Sequence, residues 1–568
     1  MANKIVAKVR RTSLASTYGV GALLPTADDS VMIRGLQDWF QGDEIQEPRL
    51  ARSLGVTVFR SPPTWRDSGD VPAIRFPEYV FCTKCRKLGR WYEVIDQVTE
   101  KCKTCHEIVS PSRFVCCCTN GHIEDFPYSS WVHEDARYQG EGHNLRLVAR
   151  GHTSALSDLV VECSCGKKRS MDGAFLFNAL RGLHACRGSR PWLSEDDASC
   201  DQPLRTLQRG SSNVWFAVTS SAISIPSVPN IADTFIAGKA ADLNLEMPAA
   251  DLARMLRAPA GCTTDDLQRA IERVQNPALS GPIPSDRELR AEEYTALVQS
   301  ATIEGSEAHF LCEEVDLTDS GLTELVAQVS RVSRLREVRA LTGFTRVLPK
   351  TEESEVAVAP LSDTRLPWLP AIEVLGEGVF VRLDEDRLEH WETGEFAVER
   401  LRLLTESRSA IGGSTFASDL EVSARSLALH TLAHILVDEM SLTSGYPTAS
   451  LRERVYDDQG QAGILIYTAT ADSAGSLGGL AALSDKHRFA QTLVNGLERA
   501  TWCTTDPVCI ETTSSGVNGM NLAACHACCL VPETSCERFN LTLDRASIVG
   551  QPGHDAGLFR KRDRTLTG

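Results

Sequence analysis

Paired cysteines constrain this chain more than any other feature. Cys82-x2-Cys85 and Cys102-x2-Cys105 stand 16 residues apart, inside the spacing at which two knuckles close on one zinc. Each knuckle presents two thiolates from a tight turn, and together they supply four sulfurs for a tetrahedral Zn2+. Lys84, Arg86, Lys101 and Lys103 flank these thiolates and would offset the charge of a four-thiolate centre. A thioredoxin-like redox pair is the alternative, but it has no need of a second knuckle at ribbon spacing.

The remaining cysteines also cluster, and the expected compartment decides how to read all 19. The first eleven residues are basic with no apolar core behind them, and no run of about 18 apolar residues follows anywhere. A cytoplasmic chain without a membrane partner is expected, and in a reducing cytosol clustered cysteines are metal ligands more often than disulfides. Cys163-x-Cys165-Gly166 with Cys186 and Cys200 makes a looser second set. The third is Cys525-x2-Cys528, completed by Cys509 and Cys536, with Cys503 able to replace either. About three closed, structural zinc sites are therefore expected. Cys116, Cys117 and Cys118 cannot all reach one metal, because neighbours in a strand point to opposite faces. One of them with His122 would contribute to a site; otherwise they are small packed residues.

The 568 residues exceed one hydrophobic core. An α+β multidomain chain is expected: a mixed segment to residue 75, a zinc-ribbon-like β region over 76–225, a helical middle over 226–345, a β segment over 346–400, a C-terminal α/β zinc-binding domain over 401–545 and a mobile basic tail over 546–568. Apolar spacing predicts helices at Asp251–Leu256, Asp265–Val274, Leu322–Val329 and over 424–440, 450–456 and 485–500. Strands are expected at Val214–Ser220 and Gly463–Thr468, and a hairpin at 371–383 turning on Gly376-Glu-Gly378.

Catalytic motifs are missing. The nearest match to a Walker A loop, at Gly238-Lys239, has Asp233 for the first glycine and Ala240 for the hydroxyl residue. Gly19-Val-Gly21 is too short for a dinucleotide loop. Asp472 to Gly479 follows a strand and reads as a structural turn, with phosphate binding as the alternative. His430-x3-His434 puts two imidazoles one helical turn apart without the glutamate of a metalloprotease. The formal net charge of -16 argues against independent nucleic-acid binding and towards a subunit that docks on something else.

Read together, the C-terminal motifs form a pattern. His430-Thr-Leu-Ala-His434, Ser450 to Tyr456, Asp472 to Gly479, Cys525-His-Ala-Cys528, Pro532 to Cys536 and Leu543-Asp-Arg545 resemble, in this order, the MrfA zinc-binding domain carried by superfamily 2 DNA helicases. That resemblance implies a structural zinc and supports Cys525, Cys528 and Cys536 as ligands. Arg10-Arg11 before Tyr18-Gly-Val-Gly21, Leu54 to Arg60, Cys117-Cys-Thr-Asn-Gly-His-Ile-Glu-Asp-Phe126 and Gln208 to Val214 are similar to the DrmB subunit of DISARM anti-phage systems. The likeness covers most of the chain and least of 228–342. It implies a non-enzymatic partner of a separate helicase subunit, DrmA, in a complex that engages DNA. Arg10, Arg11, Lys167, Lys168 and Arg169 are the candidate phosphate contacts. The alternative from another class is a metal-dependent hydrolase built on His430 and His434 with an acid such as Glu439 or Asp472.

Overall fold

The computed structural model describes residues 5–564 apart from 64–69, 137–141, 151–154, 196–199, 226–234, 259–261, 276–284, 301–309, 351–355, 411–421, 469–477, 517–518 and scattered positions at 28, 237–246, 323 and 325. The chain mixes helices with several sheets, an α+β architecture. It divides into two compact units, one made of 1–44, 60–220 and 340–372, the other of 45–59, 221–339 and 373–568. Among the described residues no helix is long and apolar enough to cross a membrane.

The first unit is mostly β. Its largest sheet has six strands in the order Val109–Pro111, Tyr79–Cys82, Lys87–Arg90, Leu145–Ala149, Leu159–Cys163 and Lys168–Ser170. Every pairing in it is antiparallel. A second sheet sets Phe114–Cys117 between Ile123–Asp125 and Arg205–Gln208. Phe126 stacks edge-on against Tyr128 at 4.9 Å and Trp131 at 5.7 Å, giving the unit an aromatic core with favourable edge-to-face contacts.

Arg346 is buried in the first unit without a carboxylate partner among the described residues. It donates to the carbonyls of Gly121, Val214 and Gly21 at 2.7–2.8 Å and lies 4.7 Å from the Phe344 ring. Burial pulls its pKa down to about 10, against the opposing pull of the Cys117 and Cys118 thiols. Its planar fork reaches three diverging carbonyls, which an ammonium on a single stem cannot do. Arg346→Lys is expected to lower stability by about 3 kcal/mol, read as a fall in denaturation midpoint; an unchanged midpoint would remove Arg346 as the pin.

The second unit is built on a sheet in which 221–223, 326–339, 373–383, Gly463–Thr468 and Leu451–Tyr456 follow one another in that order. The helix Ala424–Ser444 buries fifteen side chains, is started by the Ser423 hydroxyl accepting from the Ser426 N–H, and ends at left-handed Gly445. Helices also form at Ala249–Met255, Thr264–Gln275 and Lys486–Arg499, where apolar spacing places them.

Three expected elements differ. Leu322–Val329 is not a helix: Val326 opens a 20-residue strand, because a run of β-branched residues found neighbouring strands to pair with, which outweighs an eight-residue coincidence of helical spacing. Leu451–Tyr456 is a strand in register with Gly463–Thr468, and the charges that imitated a polar helical face, Glu453 and Arg454, are buried. The expected hairpin is one continuous strand, Trp368–Leu383. A Cβ on Gly376 or Gly378 would come within 2.4–2.5 Å of the Thr468 or Ile466 carbonyl oxygen, so these glycines admit the adjacent strand rather than make a turn. The tail is anchored at Leu558 and Phe559, which are buried, and by Arg387, which binds the Leu558 carbonyl at 3.1 Å and the Asp563 carboxylate, while Arg560, Lys561 and Arg562 are exposed.

Candidate metal centres

Cys82 ends one strand and Cys102 another, and each is followed by the same turn. Arg86 N–H donates to the Cys82 carbonyl and His106 N–H to that of Cys102, both from left-handed backbone with φ of 63° and 55°. The duplicated turn brings Cys82 within 3.4 Å of Cys105 and Cys85 within 3.6 Å of Cys102, sulfur to sulfur. Burial raises the Cys85 thiol to about 12, with the three neighbouring thiols adding to it. Burial also opposes ionisation of Cys102, but the Thr104 and Cys105 N–H groups and the adjacent thiols outweigh it and bring this one down to about 7. Four sulfurs so close cannot all be thiolates without a cation between them, and a soft divalent ion suits the set.

Cys163 and Cys165 do not meet Cys186 and Cys200; the expected second set separates into two. In one, the turn of a hairpin places Cys118 and His122 together, with Cys118 Sγ 3.3 Å from His122 Nδ1. Cys186 lies 3.7 Å from Cys118 and Cys200 3.9 Å from it. Cys116 and Cys117 are packed within the strand and fully buried, and burial raises the Cys117 thiol to about 12. In the other, Cys163 Sγ is 3.2 Å from His143 Nδ1 and Cys165 Sγ 3.3 Å from His133 Nε2. His133 Nδ1 donates to the Ser129 carbonyl at 2.8 Å, so its Nε2 carries the lone pair and faces the cluster, as an oriented ligand requires. Gly166, at φ 94°, supplies the left-handed residue that closes the Cys-x-Cys turn.

Near the C-terminus the completing residue is Cys503, and Cys536 lies elsewhere. Cys503 is 3.5 Å from Cys525, Cys509 is 3.7 Å from Cys528, and the knuckle pair is 3.7 Å apart. Asp506 holds the loop that makes this possible. It accepts from the N–H groups of Cys503 at 2.7 Å and Ile510 at 3.0 Å, and pairs with buried Arg545 at 2.6 Å. His430 and His434 meet Glu453 and Cys536. Glu439, the acid the sequence suggested, instead pairs with Arg499 at 2.8 Å, and Asp472 lies outside the described residues with most of its glycine-rich turn.

The basic candidates are partly engaged in the fold. Arg11 binds Asp43 and the Pro62 carbonyl, both at 3.1 Å. Lys167 binds the His133 carbonyl at 3.0 Å. Arg169 lies 3.5 Å over the Trp131 ring and donates to its carbonyl. Lys168 is half exposed beside Glu162, and Arg10 is exposed.

Over 560 residues the chain is 31% identical to the DISARM protein DrmB of Bacillus paralicheniformis, covering 93% of this chain and 97% of that protein. The chain belongs to the DISARM DrmB family. Within this DrmB-family chain, residues 432–529 match the MrfA Zn-binding domain. That span takes in Cys503, Cys509, Cys525 and Cys528 and leaves out Cys536. Residues 10–216 match a domain of unknown function designated DUF8724, and all three clusters of the first unit fall inside it. Zinc is the structural cofactor of this DrmB-family fold, with clusters able to hold about three to five ions. Sequence alone missed Cys118 as a certain member, and His133 and His143 altogether, because the histidines stand at no motif spacing and only the fold brings them to cysteine.

Proposed function

We propose that this chain is a non-catalytic, zinc-stabilised scaffold that binds a DrmA-like superfamily 2 helicase and assists DNA engagement in DISARM restriction of phage. One observation carries the proposal: near full-length likeness to a DISARM DrmB protein in a chain whose donor clusters each close with four protein ligands. A closed tetrahedral set leaves no position for a reactive water. The chain also lacks a Walker A motif, so nucleotide-driven work falls to the partner. The hydrolase alternative loses its footing for the same reason, since His430, His434, Glu453 and Cys536 are all buried. In the cytoplasm, the partner would take up an apolar face, and Arg10, Arg11, Lys167, Lys168 and Arg169 would lie along the phosphate backbone.

Co-purification with the neighbouring helicase is the test. A stable complex retaining several zinc ions per chain supports the scaffold; a chain that never associates with the helicase overturns it. For the DNA contacts, Lys168→Ala should leave the complex intact and lower the slope of log affinity against log salt by about 0.9 for each lost phosphate contact on duplex DNA. An unaltered slope would take Lys168 off the DNA path.

A further inference from the structure

We propose that His430, His434, Glu453 and Cys536 form a buried zinc site of their own, apart from the four-thiol centre of the same unit. The donors come from three separate elements. The histidines lie one turn apart on Ala424–Ser444, Glu453 is on the strand Leu451–Tyr456, and Cys536 is in the loop that follows the cysteine knuckle. Their ligand atoms all lie within 4.8 Å of one another, at exposures of 0, 0, 1 and 4%.

Hydrogen bonding alone does not satisfy these atoms. His434 Nδ1 is 2.7 Å from the Cys529 carbonyl, which only accepts, so the proton of a neutral ring sits there. Its Nε2 then carries a lone pair, and it faces Glu453 Oε1 at 3.3 Å. Two acceptors opposed in a dry interior need a cation between them. His430 Nε2 approaches the same oxygen at 3.0 Å and the Cys536 sulfur at 3.2 Å. Glu453 Oε2 has no hydrogen-bond partner among the described residues. Nor, among the described residues, does any arginine or lysine form an ion pair with this carboxylate; the two histidines face it instead.

A divalent ion answers each point. It takes the lone pairs of both Nε2 atoms, the carboxylate and the thiolate, and its two positive charges balance the two anions. One carboxylate, one thiolate and two imidazoles form a borderline set that suits zinc. The Cys529 carbonyl is the outer partner that orients a ligating histidine, and it belongs to the residue after Cys528. The two metal sites of this unit are thereby joined through one backbone carbonyl. Four protein donors and no exposure assign the ion a structural role, fastening the edge strand and the C-terminal loop to the central helix. None of this depends on the helicase partnership.

Crystals of the full chain measured on either side of the zinc absorption edge test the proposal without any substitution. An anomalous peak among His430 Nε2, His434 Nε2 and the Cys536 sulfur is expected, beside the peak of the Cys503, Cys509, Cys525 and Cys528 centre. No peak there while the four-thiol centre shows one overturns the proposal, and a signal at the iron edge instead overturns the choice of metal. Glu453→Gln keeps the side-chain shape and should lower zinc content by one equivalent per chain, with the four-thiol ion retained. Full zinc content in a folded Glu453→Gln protein would count against the site.

Discussion

Cys82→Ser is expected to release one zinc equivalent and unfold the segment over about 91–108 that carries the second knuckle, the largest effect expected of a single substitution in the first unit. In small zinc domains the metal contributes an apparent free energy of about 10–16 kcal/mol, as large as the whole stability of an ordinary domain, about 5–15 kcal/mol. The sheet holds Tyr79–Cys82, Lys87–Arg90 and Val109–Pro111 without the metal, but the segment between them has only the two-residue strands Ile95–Asp96 and Lys101–Cys102. Cys117→Ser is the control. That thiol is equally buried but packs within a strand, so a hydroxyl there should cost about 1–3 kcal/mol and leave the zinc content alone. Zinc quantified on the unfolded protein, with limited proteolysis of the native form, separates the two substitutions. If Cys82→Ser kept its full zinc content and resisted protease like the parent chain, Cys82 would not be a ligand.

Arg454→Met should lower stability by about 3–5 kcal/mol, the usual result of breaking a buried ion pair from one side. Arg454 is buried on the strand Leu451–Tyr456, pairs with Glu293 at 2.7 Å, and stands 3.6 Å from Glu537 and 3.9 Å from Glu337. It also donates to the Ser221 carbonyl at 3.0 Å. Methionine fills the volume but leaves these carboxylates short of a cation. Burial works to raise Glu337, but Arg339, Arg452 and Arg454 prevail and hold it at about 2, below its ordinary 4.5. A depressed carboxyl stabilises the fold above its unfolded value and loses that contribution as pH falls through the folded value. The parent chain should therefore weaken between about pH 4.5 and 2, and Arg454→Met should begin to fail at higher pH. Urea midpoints at neutral and mildly acidic pH measure both effects. A loss under about 1 kcal/mol at neutral pH would mean that Glu293, Glu337 and Glu537 find other partners.

Some of this architecture is legible in the residues because the signal is local. A Cys-x2-Cys knuckle sets its own turn, so Cys82, Cys85, Cys102 and Cys105 close on one another as their spacing requires. The helices Ala424–Ser444 and Lys486–Arg499 carry their own caps, and Gly463–Thr468 is a run of β-branched and apolar residues with one ordinary outcome. Where a local pattern has two outcomes, sequence reading fails. Arg-Glu-Arg at 452–454 looks like the wet face of a helix when the partners of Arg454, Glu293 and Glu537, stand 161 and 83 residues away along the chain. Gly376 and Gly378 look like a turn when the strand that crowds them is not in view.

Residue types and short spacings alone specify a cysteine-rich α+β chain of DrmB kind, with Cys-x2-Cys knuckles for zinc and no Walker A motif. Those properties depend on residue type and short spacing, which the chain carries wherever it folds. Which donors share a cluster follows from the fold. It parted Cys163 and Cys165 from Cys186 and Cys200, joined His133 and His143 to the first pair and Cys118 and His122 to the second, and exchanged Cys536 for Cys503. Metal ligands gather within a few ångströms of one point, and outside a knuckle nothing along the chain encodes which distant loops arrive there. That is settled by strand pairing, by carbonyls such as those of Ser129 and Cys529 that turn a histidine, and by buried arginines that hold the turns in place.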